Sequence, residues 1–126
     1  MKKTLADVMT PLPQTVGKEA TLEKAVEIME STPCSHLPVL NGGRLCGIIS
    51  DKDIRAYALK NMHIKVGDIM TLDPILLMPE DDVKAAMKVM VENDISSVLI
   101  RSHDNTPWGI FTATDALKIC VAQSVS

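Results

Sequence analysis

A hydroxyl residue stands three positions before an aspartate at two places in this chain: Ser50 before Asp53, and Thr112 before Asp115. Each pair follows a glycine and two apolar residues, in the octets GIISDKDI and GIFTATDA. If a helix begins after each hydroxyl residue, its free amides and the positive end of its dipole favour an anion such as phosphate. The hydroxyl adds a donor to phosphate, and the carboxylate can accept both vicinal hydroxyls of a ribose. The pattern therefore indicates a possible ribose-phosphate contact.

The same spacing also matches a capping box, which needs no ligand. In that motif the hydroxyl accepts from the amide three residues on, while the acid accepts from the amide of the capping residue. On this interpretation Gly47 and Gly109 only ease the packing of the preceding strands. Both interpretations remain open for a single octet, and its duplication favours a shared binding function.

The octets belong to a repeat that runs along the whole chain. A shift of 61 residues places DVMTPLP (7–13) over DIMTLDP (68–74), and TLEKAVEIM (21–29) over DVKAAMKVM (82–90). The octets themselves align at a shift of 62, because the loop before the second one is a residue longer. A unit of about 55 residues is too small for a comfortable core of its own. We therefore expect two units packed about a pseudo-twofold axis.

Each repeat is predicted to be β-α-β-β-α, so the fold class is α+β, with sheets packed against helices. Apolar residues at i, i+3, i+4 and i+7 predict a first helix after Thr21 and again after Asp81 or Asp82, which are suitable N-caps. Short lead-in helices are expected at 4–9 and 66–70. The remaining predicted elements are strands near 14–16 and 75–77, hairpins over 36–50 and 97–112, and second helices over 51–61 and 113–122.

Composition excludes several classes of function. A net charge of −3 and three aromatic residues argue against a nucleic-acid surface. The three cysteines share no CxxC spacing, so we expect reduced, mostly buried thiols and no metal site. No signal peptide and no apolar run long enough to span a bilayer is present, which predicts a soluble cytoplasmic protein. No catalytic spacing is found, and Ser50 does not lie in a G-x-S-x-G turn, so we expect no enzyme and no catalytic residue.

The tandem β-α-β-β-α units resemble a pair of CBS domains, the module named after cystathionine β-synthase. Each repeat opens with D-[VI]-M-T and closes with G-I-[IF]-[ST]-x-x-D, and four segments match in the same order twice. The resemblance covers the chain from about Leu5 to Val121 and implies CBS repeats at 5–62 and 66–122, together forming one module.

The resemblance implies two symmetry-related clefts, each a composite of both repeats. One cleft would hold a base at Thr15, Val16, His36, Leu37 and Pro38, and a ribose-phosphate at Thr112, Thr114 and Asp115. The other would hold a base at Ile75, Leu76, Ser97 and Val98, and a ribose-phosphate at Ser50, Lys52 and Asp53.

What the resemblance implies about function is a regulatory sensor that binds AMP, ADP, ATP or S-adenosylmethionine. It would need no cofactor beyond this regulatory ligand, would pair into a homodimer, and would modulate a separate partner protein. The alternative is a structural dimerisation module whose clefts stay unoccupied. In that case the capping boxes would serve the helices alone.

Overall fold

The computed structural model describes residues 3–12, 14–101 and 108–125. In chain order the elements are α1 (Leu5–Val8), β1 (Thr10–Leu12), β2 (Val16–Gly17), α2 (Leu22–Ser31), β3 (His36–Asn41), β4 (Arg44–Ser50), α3 (Asp51–Ala58), α4 (Val66–Ile69), β5 (Thr71–Leu72), β6 (Leu76–Leu77), α5 (Val83–Asn93), β7 (Ser97–Ile100), β8 (Trp108–Thr112) and α6 (Ala113–Val125).

These elements form two compact units that do not follow chain order. The continuous unit is Leu12–Pro74. The split unit combines the chain up to Pro11 with the chain from Ile75 onward. Each unit therefore contains the first helix, the hairpin and the second helix of one repeat, together with the short lead-in segment of the other repeat.

The continuous unit has a four-stranded sheet in the order β2-β3-β4-β5. β2 is parallel to β3, and the pairings of β3 with β4 and of β4 with β5 are antiparallel. The β3–β4 hairpin turns at Gly42 and Gly43, whose φ angles are +59° and +82°. Two consecutive positive φ angles match the hairpin twist and suit glycine, so the Asn-Gly-Gly signal is explained by its geometry.

The split unit has the matching sheet, in the order β1-β8-β7-β6. β6 is parallel to β7, and β7 is antiparallel to β8. The loop predicted between the strands of this second hairpin, 102–107, lies outside the described residues. The α+β fold class is confirmed, since each unit carries a mixed sheet and helices.

The first helix of each repeat begins at a predicted capping residue and buries three of the four residues of the predicted stripe. The Thr21 hydroxyl accepts from the amide of Lys24, and the Asp82 carboxylate accepts from the amide of Lys84. The core positions of the two stripes are Leu22, Ala25 and Met29 in α2, and Val83, Ala86 and Met90 in α5. Val26 and Met87 are only half-buried.

The predicted elements differ from the structure in several details, including α6, which was predicted to end at 122 and ends at Val125. The helix predicted over 51–61 ends at Ala58, because the Tyr57 carbonyl accepts from the amides of Lys60 and Asn61 in a turn. The strands β1 and β5 were not predicted. Within the described ranges, no helix is long and apolar enough to cross a membrane.

Candidate functional site

The first candidate half-site lies where β4 passes directly into α3. The Ser50 amide donates to Asp53 Oδ2 at 3.0 Å, and the Asp53 amide donates to Ser50 Oγ at 3.1 Å. Both side chains are half-buried. The capping box predicted for this octet is therefore confirmed.

The second candidate half-site repeats this geometry where β8 passes into α6. The Thr112 amide donates to Asp115 Oδ2 at 2.9 Å, and the Asp115 amide donates to Thr112 Oγ1 at 3.1 Å. These two distances agree with the two of the first half-site to within 0.1 Å. The duplicated sequence pattern thus produces a duplicated local structure.

Each capping box leaves polar groups that a ligand could use. The hydroxyl oxygen accepts within the cap, so its own O–H remains available to donate, and the carboxylate retains its second oxygen as an acceptor. The first amide of each helix is taken, because the Asp51 amide donates to the Ser35 carbonyl and the Ala113 amide donates to the Ser96 carbonyl. The second amide, of Lys52 or Thr114, is used neither by the cap nor by these carbonyls.

These remaining groups suit a ribose-phosphate. A hydroxyl donor and a helix amide lie beside the positive end of the helix dipole, which favours phosphate. The second oxygen of the carboxylate, which the cap does not use, can accept from a ribose hydroxyl. The cap and the ligand contact therefore use different atoms of the same residues and need not compete.

The hairpin of each unit places a second predicted residue opposite the capping hydroxyl. His36 is the register partner of Ser50, and Ser97 is the register partner of Thr112. The Ser35 hydroxyl lies 3.0 Å from His36 Nδ1. Sequence reasoning overlooked Ser35 and Ser96, although a serine stands at this position in both repeats and was visible in their alignment.

Four of the residues expected around a base are buried. Val16, Leu37 and Val98 are 4%, 0% and 1% exposed and belong to the hydrophobic cores, and Pro38 is fully buried. Their side chains are held by packing, so any contact that they make with a ligand has to come from backbone atoms. The other residues expected around a base are half-buried: Thr15, His36, Ile75, Leu76 and Ser97.

A third capping box shows how little the motif means by itself. The Thr4 amide donates to Asp7 Oδ2 at 3.0 Å at the start of α1, a helix of four residues. This box follows no hairpin and was not singled out from the sequence. The same spacing therefore forms a cap at the start of α1 as it does at α3 and α6, and the position behind a hairpin distinguishes the two candidate half-sites.

The cysteines and acidic residues supply no further site. Cys34 and Cys46 are half-buried and Cys120 is exposed, so the prediction of mostly buried thiols was wrong. Burial raises the pKa of the Cys34 thiol, and a backbone hydrogen bond involving His36 opposes this only in part. In the described part of the chain, no group of three or more His, Cys, Asp or Glu residues is placed to hold a metal ion.

Comparison with known families decides the classification. The CBS domain model matches two segments of the chain, residues 5–60 and 66–122. The chain belongs to the CBS domain family. Each matched segment contains one D-[VI]-M-T motif, in the lead-in, and one hydroxyl–carboxylate pair. The residues on which the resemblance was based therefore lie within the matched CBS repeats.

One curated relative is a much longer protein than this chain. The chain is 35% identical, over 118 residues, to a homoserine O-acetyltransferase from Methanococcoides burtonii. The match covers 92% of this chain and 24% of the relative. The chain thus spans about a quarter of the length of that enzyme.

Solved CBS structures share the fold at low sequence identity. The CBS domain pair of protein MJ0100, in complex with 5′-methylthioadenosine and S-adenosyl-L-methionine, is 23% identical, with a TM-score of 0.79 over 98% of this chain and 99% of that one. CBSX2 in complex with AMP is 23% identical, with a TM-score of 0.69 over 96% of this chain and 98% of that one. At such identities the likeness establishes the CBS fold alone.

Proposed function

We propose that this CBS pair is a regulatory module that binds an adenosine-containing ligand at its two hydroxyl–carboxylate pairs. The candidates are AMP, ADP, ATP and S-adenosylmethionine. The observation that carries the proposal is the duplicated half-site, in which a hydroxyl donor, a helix amide and a carboxylate oxygen remain available beside a formed cap. Structural neighbours in complex with 5′-methylthioadenosine, S-adenosyl-L-methionine and AMP support this class of ligand.

We further propose that the ligand acts by shifting the state of a partner protein. A ligand can do so only if it binds two arrangements of the module with different affinity. The pairing of half-sites into composite clefts, a cytoplasmic location and the absence of an enzymatic activity of its own remain predictions from the sequence.

A structural dimerisation module is the second candidate. The capping box at Thr4 and Asp7 favours it, because that box already serves a helix without any hairpin beside it. Self-association is also consistent with Leu117 and Val121, apolar residues of α6 that are 65% and 60% exposed. Homodimerisation belongs to both proposals, so the oligomeric state does not separate them.

Ligand binding by the wild-type protein separates the two candidates. The purified chain, freed of bound small molecules, is titrated with AMP, ATP, S-adenosylmethionine and NADH while thermal unfolding is followed. A ligand at 100 times its Kd stabilises the folded state by about 2.7 kcal/mol. If none of these compounds raises the melting temperature, the sensor proposal fails and the dimerisation module remains.

Two variants connect any binding to the proposed atoms. Asp53→Asn and Asp115→Asn keep an oxygen that can cap the helix but lose the charged acceptor for ribose. Together they should weaken binding at least about tenfold, because hydrogen bonds to charged groups contribute roughly 1.5–3 kcal/mol. Asp7→Asn is the matched control, since it makes the same change in the capping box at Thr4, away from either half-site. Unchanged binding in the double variant would contradict the proposal.

A further inference from the structure

Over residues 51–55 the first half-site differs in charge from the second at three aligned positions: α3 has Asp51, Lys52 and Arg55 where α6 has Ala113, Thr114 and Leu117. The second residue of α3 is Lys52, whereas the second residue of α6 is Thr114. The backbone amide of this second residue takes no part in the capping box. The flanking hydrogen bonds are the same in both half-sites, and Asp51 pairs with Arg55, so Lys52 is the charge difference that this ion pair does not offset.

Lys52 adds a positive charge that its surroundings do not cancel. Its neighbour Asp51 is already paired with Arg55, at 2.7 Å between Oδ2 and Nη2. Lys52 itself is exposed, and among the described residues no carboxylate lies within 4.0 Å of its ammonium group. The first turn of α6 has Ala113 and Thr114 in place of this ion pair and lysine.

A lysine at the second position of a helix is not unusual in itself. Lys84 occupies the same position in α5, after the N-cap Asp82. What distinguishes Lys52 is the Ser50–Asp53 pair beside it, with a hydroxyl and a carboxylate oxygen available to a ligand. A ligand phosphate held by Ser50 would lie within reach of the flexible Lys52 side chain, and additional phosphates would increase the attraction.

We propose that the two half-sites select ligands by phosphate charge. The half-site at α3 favours an adenosine ligand with a di- or triphosphate chain, because Lys52 supplies a cation there. The half-site at α6 favours an adenosine ligand with one phosphate or none, because Thr114 supplies only a hydroxyl. This inference rests on the proposed ligand binding and adds the ligand preference of each half-site.

Isolating one half-site at a time allows the preference to be measured. Asp115→Asn leaves the half-site at α3 intact, and Asp53→Asn leaves the half-site at α6 intact. AMP and ATP are titrated into each variant by calorimetry in magnesium-free buffer. The ratio of ATP affinity to AMP affinity should be larger in Asp115→Asn by about three- to fivefold, the size expected of one exposed ionic contact.

Exchanging the second residues tests the cause. Lys52→Thr in the Asp115→Asn protein should lower this ratio about three- to fivefold, because it weakens the binding of ATP more than that of AMP, while Thr114→Lys in the Asp53→Asn protein should raise the ratio by a similar factor. Both effects should shrink at 0.5 M salt, because exposed charges are screened. Lys84→Thr removes a lysine from the same helical position away from either half-site and should change nothing.

The outcomes separate the inference from the function on which it rests. If ATP and AMP bind but Lys52→Thr alters their ratio no more than Lys84→Thr does, the charge preference is wrong and ligand binding stands. If neither nucleotide binds the wild-type protein, the charge preference falls, and the sensor proposal falls with it only if S-adenosylmethionine and NADH also fail to bind. Lys52→Thr in the otherwise unchanged chain repeats the test without the Asn variants, and it should lower the affinity for ATP at one of the two sites.

Discussion

The Sδ atom of Met70 occupies the space that a side chain at Gly47 would need. A β-carbon on Gly47 would lie 2.6 Å from this sulfur and 2.8 Å from the Thr71 carbonyl oxygen. The split unit repeats the contact, since a β-carbon on Gly109 would lie 2.5 Å from Met9 Sδ. The methionine of each lead-in motif therefore packs against the glycine of an octet. This contact explains why both residues recur in the two repeats.

Adding a methyl group at either glycine should destabilise the fold. Gly47→Ala and Gly109→Ala are each expected to lower the free energy of unfolding by about 1–3 kcal/mol, the usual cost of overpacking. Urea unfolding followed by circular dichroism measures this loss. Alanine variants as stable as the wild type would show that neither contact is tight.

Shortening the methionine should rescue Gly109→Ala better than Gly47→Ala. At Gly109 the nearest atoms all belong to the Met9 side chain, whereas at Gly47 the Thr71 carbonyl would still obstruct the new methyl group. A double-mutant cycle of Gly109→Ala with Met9→Ala should show favourable coupling, and the cycle with Met70→Ala should show less. Strictly additive costs at both positions would contradict the geometry.

Removing a capping hydroxyl should reduce stability even without ligand. Ser50→Ala and Thr112→Ala are each expected to lower the free energy of unfolding by about 1 kcal/mol, because an amide of the first turn loses its acceptor. Asp53→Asn should cost less, since its amide oxygen can still accept from the Ser50 backbone. Thermal unfolding of ligand-free protein provides the comparison, and equal losses for Ser50→Ala and Asp53→Asn would contradict it.

Asp94 should be replaceable by glycine with a gain in stability. It ends α5 with φ +51° and ψ +49°, a left-handed conformation that disfavours residues with a β-carbon. Asp94→Gly should therefore raise the free energy of unfolding by up to about 1 kcal/mol, and Asp94→Ala should not. Chemical unfolding midpoints test this, and a loss of stability in Asp94→Gly would mean that the carboxylate itself stabilises the helix end.

The cysteines should differ in reactivity towards a thiol reagent. The exposed Cys120 should be modified before Cys34, whose pKa is raised by burial so that little thiolate forms at neutral pH.

The raised pKa of Cys34 should also make stability depend on pH. Because Cys34 loses its proton at a lower pH in the unfolded chain than in the folded one, the free energy of unfolding should fall as pH rises above roughly 8.5. Cys34→Ser should weaken that pH dependence, and Cys120→Ser identifies the fast-reacting thiol.

The helix starts were predictable because their signals are local. Thr21, Ser50 and Thr112 cap helices through bonds that span three residues, and the sequence spacing alone specifies these bonds. The strands β1 and β5 were not predictable in this way. They are only three and two residues long, and they exist because each pairs with the hairpin of the other repeat.

Each lead-in segment belongs to the unit of the other repeat, and the sequence could not predict this. Met9 and Met70 stand in nearly identical motifs, so the sequence does not show which methionine covers Gly47 and which covers Gly109. Only the paired strands distinguish them: Leu72 is the register partner of Gly47 in the β4–β5 pair. The burial of Leu37 and Val98 was also not read from the sequence, because an alternating strand offers either face to the core.

The split unit is built from two separate parts of the chain, and this suggests how a chain with two repeats could have arisen. If a lead-in cannot cover the glycine of its own repeat, a single ancestral repeat would have needed a second copy to donate the missing strand. Fusing two copies end to end would then have turned an exchange between molecules into one within a molecule. The present chain has this arrangement, so separating it between residues 62 and 66 should yield two fragments that fold only when mixed.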